Sequence, residues 1–372
     1  MESENLKLVK QLRHELHQHP ELSNEEAWTK QYLIDFLKKH TKLEIIEHDK
    51  WFYAAYRAGE GKQNIAFRAD FDALPMDEGI ELPYGSQFPG KAHKCGHDGH
   101  SASLAGFALE VDQKGTDKNI FFLFQHAEET GDGAVECVSF IEENKIEEIF
   151  AYHNMSGMAF KSVNVIDGTC QFASKGMTIH FEGSPAHASQ PETGVNPSYA
   201  IAKLIHAIPE FTSSDNNKGL VLCTVVQIDV GERAFGMSAS KGDLLLTIRA
   251  YYEEELDKLQ RNLEDLANAQ AEEYGMKVSF TYNDEFPETY NYKESNDRVR
   301  AVCKEKGMEL VEMKEAWRAS EDFGHYTKVT KGAMIYIGNG FEHPPIHTYE
   351  YDFKDDIIET AVELFKGLAS VY

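Results

Sequence analysis

The run Asn119 to Phe124 reads N-I-F-F-L-F, with no polar residue after its first position. A strand apolar on both faces needs cover on both sides, which is the situation of a central strand in a parallel sheet. It runs straight into Gln125-His126-Ala127-Glu128-Glu129-Thr130-Gly131-Asp132-Gly133. Two adjacent glutamates just past a buried strand are costly to place unless something cationic meets them. One stretch thus points both to a sheet covered by helices and to a charged site at the end of its strands.

The neighbouring segments repeat the pattern. Asn64 to Ala69 is a compact apolar strand leading into Asp70-Phe71-Asp72, whose two aspartates alternate and so point the same way in extended backbone. Ser101 to Val111 reads as a helix packed by small residues, Ala134 to Glu143 as another, and Glu148 to Tyr152 as a strand ending in His153-Asn154. Strand and helix alternating in this way imply right-handed crossovers and parallel pairing. Such sheets place their chemistry at the carboxyl ends of the strands. Leu43 to Ile46 and Trp51 to Tyr56 add short strands, Gly332 to Ile337 returns to the sheet, and Asp355 to Leu368 is a closing helix.

At the amino end, Leu6, Val9, Leu12 and Leu16 have helical spacing, with Ser3 placed to cap and Pro20 to stop the helix. Ser23-Asn24-Glu25-Glu26 has the form of a capping box for a second helix reaching His40. His14, His17 and His19 read as surface or cap histidines, since no acidic partner recurs beside them.

From about Ser174 the character changes. Gly176 to Glu182, Leu220 to Val230, Asp243 to Tyr251 and Lys277 to Asn283 read as strands, with helices at Asn196 to Ile208 and from Leu256 to near Gly275. The order β-α-β-β-α-β is a ferredoxin-like unit complete in itself. The expected fold is therefore α/β, a mostly parallel sheet with helices on both faces. Its first domain, residues 1–174 and 285–372, is discontinuous, and residues 175–284 are inserted into it.

Chemistry gathers at Lys94-Cys95-Gly96-His97, where a thiol and an imidazole flank a glycine and suit a borderline-soft divalent ion. With Glu129, His153 and His347 they make five candidate ligands from four separated loops. A single catalytic zinc takes about three protein ligands and leaves a place for water. Two metals fit the count better, and Glu128 is then free to take a proton.

Bulk properties exclude other classes. A net charge of -25 argues against nucleic acid as a partner. No stretch approaches the roughly 18 consecutive apolar residues of a membrane span. The acidic start, with no secretory apolar run after it, and five scattered cysteines lead us to expect a cytoplasmic protein with free thiols.

These motifs together resemble the zinc-dependent aminoacylase and dipeptidase superfamily, in its amidohydrolase branch. The resemblance rests on R-H-E-L-H-Q-H-P-E-L-S at 13–23, R-A-D-F-D-A-L-P at 68–75, H-K-C-G-H-D-G-H at 93–100, A-E-E at 127–129 and H-N at 153–154. A-H-A-S-Q-P at 186–191, S-E-D-F at 320–323 and H-T at 347–348 complete it. It implies that Cys95, His97, Glu129, His153 and His347 bind two divalent metal ions, with zinc favoured and manganese, cobalt or nickel compatible. By the same resemblance Glu128 is the general acid and base, and Asp72 orients a neighbouring ligand. His187 of the inserted domain stabilises an oxyanion, often in a partner subunit's site. Asp70 stands where other branches place a ligand histidine and is not itself expected to be one.

The implied reaction is hydrolysis of the amide of N-acyl amino acids, dipeptides or short peptides, by a homodimer paired through the inserted lid domain. One element departs from the pattern: where the family carries Asn-x-Ile-Pro, this chain reads Arg233-Ala234-Phe235-Gly236-Met237-Ser238-Ala239-Ser240. Two rival readings are a Cys95 nucleophile activated by His97 or His100, and a non-catalytic relative that binds N-acyl amino acids and retains the metal site.

Overall fold

The apolar run is a strand, Asn119–Gln125, buried along its whole length and paired in parallel with Asn64–Asp70. The computed structural model describes residues 1–371, and an eight-stranded sheet runs through the unit that contains this strand. From edge to edge its order is Glu44–Glu47, Phe52–Tyr56, Asn119–Gln125, Asn64–Asp70, Glu148–Ser156, Lys331–Gly340, Val163–Val165 and Leu310–Glu312. The strands at 119, 64, 148 and 331 are mutually parallel, while those at 44 and 52 join antiparallel at one side. Residues such as Phe67, Phe107, Phe122, Phe150 and Phe365 fill the core, each worth about 1.5–3 kcal/mol on full burial. This unit comprises Met1–Cys170, Thr289–Ala316 and the chain from Glu321 onward.

The second unit comprises Gln171–Glu288 and Trp317–Ser320. Its four-stranded sheet has the order Val221–Val230, Lys241–Ala250, Ala173–Glu182, Lys277–Phe286, antiparallel throughout. Lys241–Ala250 alternates buried and half-exposed residues, so one face is apolar. That face holds helices Ser198–Phe211 and Glu253–Tyr274 through Ile179, Leu204, Leu246, Leu259 and Leu263.

Several local expectations need correction. The first helix, Ser3–Gln18, begins at Ser3 with no side-chain cap. The presumed capping box does not cap: helix Ala27–His40 has its Trp28 and Thr29 amides satisfied by the Glu21 carboxylate, at 3.3 and 2.8 Å. His17 is no surface histidine but is fully buried, donating to Asp98 and Glu78 at 2.8 Å each. Its acidic partners come from distant sequence, so nothing near it revealed them. The stretch 134–143 is broken into two short helices, Gly133–Cys137 and Ser139–Glu143. Strand Glu148–Ser156 runs past His153, which therefore lies within the sheet.

Candidate metal centre

Cys95 and His97 are turned toward one point by Gly96, whose φ of 107° is left-handed. A Cβ there would lie 2.2 Å from Asn154 Oδ1 and 2.6 Å from the Tyr351 hydroxyl, so only glycine allows the approach. His97 opens helix His97–Lys114, which is packed along most of its length by buried small and apolar residues. The carboxyl ends of strands 64–70 and 119–125 bring in Asp72 and the Glu128-Glu129 pair. His347 enters from the loop after Lys331–Gly340, with its own N–H donating to the Lys94 carbonyl at 2.7 Å.

All five predicted ligands meet here. Cys95, His97 and His153 form one set, and Cys95, Glu129 and His347 another, each with donor atoms within 4.8 Å of one another. The Cys95 sulfur, common to both, lies 3.3 Å from His153 Nε2. Glu129 Oε1 lies 3.7 Å from His97 Nε2 and 3.5 Å from His347 Nε2. Glu128 Oε2 also faces His97 Nε2, at 3.8 Å. The side chain of His347 is 48% exposed while Cys95, His97 and His153 are buried, which leaves the His347 side as the open one.

Supporting contacts select the ring atoms. His97 Nδ1 donates to Asp72 Oδ1 at 2.9 Å, and His153 Nδ1 donates to the Asn154 carbonyl at 2.7 Å, so both rings present Nε2 to the centre. Asp72 Oδ2 accepts the Glu129 N–H at 3.0 Å and the Ser23 hydroxyl at 2.8 Å. Asp70 belongs to a different set of contacts, taking Arg68 and His100 Nδ1, the latter at 2.7 Å.

Burial and neighbours shift the acids strongly. Burial, with Glu321, Glu129, Asp322 and Asp70 around it, pushes the Glu128 carboxyl well above the ordinary range. At His97 burial opposes the charged form, but Asp70, Asp72 and Glu129 outweigh it and hold the ring up at about 10. His153 is held well below its usual value by burial and by His100. Burial, Glu129, Glu128 and Asp70 push the Cys95 thiol up, the opposite of what a nucleophilic cysteine needs.

The donor set fits a divalent metal. His97 Nε2 and Glu129 Oε1 are buried without a hydrogen-bond partner among the described residues. A thiol, imidazoles and a carboxylate are the ligand types that borderline cations accept, and added positive charge would offset the pKa shifts of Cys95 and Glu128.

Sequence reasoning gave no role to a second layer beneath the centre. Arg68, fully buried, donates to Asp70 and, at 2.7 Å, to Asp322, forms an ion pair with Glu321 at 3.0 Å, and through its Nε meets Gln125 at 2.9 Å. The buried arginine in R-A-D-F-D and the acidic S-E-D-F were the available signals.

His187 lies in the second unit. It is exposed, in a two-residue strand, Ala186–His187, paired with Met237–Ser238. Its Nδ1 accepts the Ser189 N–H at 3.1 Å, which leaves Nε2 as the protonated, donating nitrogen.

Known proteins share this architecture. The description "Peptidase family M20/M25/M40" matches residues 66–370. N-acetyldiaminopimelate deacetylase of Bacillus subtilis is 27% identical over 367 residues, covering 97% of each chain. Hippurate hydrolase of Campylobacter jejuni is 27% identical over 368 residues, covering 97% of this chain and 95% of its own. A solved structure from methicillin-resistant Staphylococcus aureus superposes with a TM-score of 0.90 at 25% identity, covering 99% of this chain and 97% of that one. The Bacillus subtilis YxeP protein, described as a dinuclear metal binding peptidase, has a TM-score of 0.84 at 23% identity, with coverages of 99% and 98%. The chain belongs to peptidase family M20/M25/M40, and within it to the amidohydrolase branch of enzymes that act on amide bonds.

Proposed function

We propose that the chain hydrolyses the amide joining an acyl group, such as acetyl or benzoyl, to an amino acid or short peptide, with two divalent metals held by Cys95, His97, Glu129, His153 and His347. The observation that carries the reading is the convergence of these five candidate ligands beside Glu128, with buried polar atoms of His97 and Glu129 left without a hydrogen-bond partner among the described residues. The names of relatives, N-acetyldiaminopimelate deacetylase, N-acetylcysteine deacetylase and hippurate hydrolase, support the substrate class. When bound, the metals supply Lewis acidity that lowers the pKa of water and polarises a carbonyl.

The remaining work falls to side chains. Asp72 holds His97 with Nε2 inward. Glu128 accepts a proton from the attacking water and returns it to the leaving amine. His187 donates from Nε2 to the oxygen on which charge develops.

In this reading the first unit is the metal-binding catalytic domain and the second a lid through which a homodimer forms. Val226 and Ile228, 60% and 51% exposed on the edge strand Val221–Val230, support pairing there. The scattered free cysteines support a cytoplasmic location.

Glu128→Gln tests the mechanism. It is expected to keep its metal by elemental mass spectrometry and to lose about 10²–10⁴-fold in kcat on an N-acyl amino acid. Near-normal turnover in that variant would remove Glu128 from the role.

A further inference from the structure

The turn that carries Glu128 and Glu129 is held from outside its own strand. Ala127 has a φ of 47°, a left-handed conformation unfavourable for a residue with a Cβ. Its N–H donates to Glu26 Oε1 at 2.8 Å, and its carbonyl accepts the Gly133 N–H at 3.0 Å. Two residues on, the Glu129 N–H is held by Asp72, whose same oxygen receives the Ser23 hydroxyl.

Both supports lead back to one short segment, Ser23 to Glu26. That segment is anchored by a parallel bridge between Leu22 and Ala73 and by the Ala73 N–H, which donates to the Glu21 carbonyl at 2.8 Å. Glu26 is only 4% exposed, although it directly precedes helix Ala27–His40, where a glutamate would ordinarily be solvated. Glu21 satisfies the first amides of that helix, so Ser23 and Glu26 have their side chains released from capping. A buried carboxyl that reaches the backbone N–H of a strained residue in a distant turn needs a reason beyond helix stability. Its location next to Glu128 supplies one.

We infer that Glu26 and Ser23 are positioning residues for the catalytic turn. Glu26 holds the left-handed Ala127 that aims the Glu128 carboxylate. Ser23 locks the rotamer in which Asp72 grips His97 and Glu129 at once. The inference rests on the reading of Glu128 as the acid and base and of Glu129 as a metal donor.

The test uses the full-length, zinc-loaded enzyme and its variants. Glu26→Ala is expected to lower kcat by about 10–100-fold, the usual cost of losing such an outer contact, with KM and zinc content unchanged at saturating metal. Glu26→Gln keeps an amide oxygen able to accept the Ala127 N–H and is expected to restore kcat close to wild type. A purely structural role would move the melting temperature without this split between kcat and KM and without rescue by glutamine. If Glu26→Ala does not fold, Glu26→Asp withdraws the acceptor by one methylene and reads the same contact through kcat.

A second readout needs no substrate. Competition with a chromogenic chelator is expected to show zinc bound about 10-fold more weakly by Ser23→Ala. The inference is overturned by wild-type kcat in Glu26→Ala or, where that variant does not fold, in Glu26→Asp. It is equally overturned by Glu26→Gln falling as far as Glu26→Ala, or by an unchanged zinc dissociation constant in Ser23→Ala. A wild-type chain that binds zinc but cleaves no N-acyl substrate would sink the proposed reaction instead, and the zinc titration would still decide on Ser23.

Discussion

At His97 two effects compete for one ring. Burial favours the neutral imidazole, yet Asp70, Asp72 and Glu129 hold its proton up to about 10. Uptake of a divalent ion at Nε2 must release that proton, so affinity should weaken as pH falls and binding should liberate protons. Calorimetric zinc titrations in two buffers of different ionisation enthalpy are expected to show the release, and a buffer-independent enthalpy would argue against His97 as a ligand. Asp72→Ala removes the acceptor that fixes the ring and should cost about 10–100-fold in metal affinity. The candidate ligands themselves were legible because cysteine, histidine and paired glutamates are unusual beside buried strands. Arg68, Glu321 and Asp322 had no role assigned because residues 68 and 321 are joined only in the folded chain.

Whole elements hold these residues at the required separations. Helix Ser3–Gln18 sends His17 between Asp98 and Glu78. Glu78 pairs with Lys94, and the Lys94 carbonyl holds His347. His17→Ala would leave the buried Asp98 and the partly buried Glu78 short of a donor, a loss on the order of 3–5 kcal/mol for a broken buried pair. Urea denaturation is the measurement, and a change below about 1 kcal/mol, as for a surface residue, would show the network to be dispensable. Gly96→Ala should be worse for function than for the fold. Its Cβ would displace Asn154 and Tyr351 and turn Cys95 and His97 apart, so metal content should fall well before helical circular dichroism is lost. Helix periodicity was readable in sequence; the assignment of Ser23 and Glu26 as caps was not reliable, because a side chain that caps and one that braces a distant loop look the same until the partner arrives.

Across the whole molecule, charge decides how the first unit responds to acid. Glu110 of helix His97–Lys114 receives Asn5 and the Glu2 N–H from the amino end, Lys114 from its own helix and Lys366 from the last helix. Burial opposes its ionisation, but these donors win and lower its pKa from 4.5 to about 2. A depressed carboxyl contributes stability fully above its unfolded value and loses it as pH falls through its folded one. Glu110→Gln should therefore melt lower than wild type at neutral pH, with the gap closing between about 4.5 and 2; a gap constant with pH would contradict the ion pairs. Sequence by itself determined the kind of fold, since strands apolar on both faces and 3.6-residue periodicity are local properties that burial alone enforces. It also singled out the candidate metal donors that the fold brings together, because no common structural role calls for that set at strand ends. Only the tertiary structure decided which side chains support them. Hydrogen bonds such as Glu26 to Ala127, Ser23 to Asp72 and His17 to Asp98 join residues 49 to 101 positions apart, and no local pattern encodes a partner that chain folding alone brings within 3 Å.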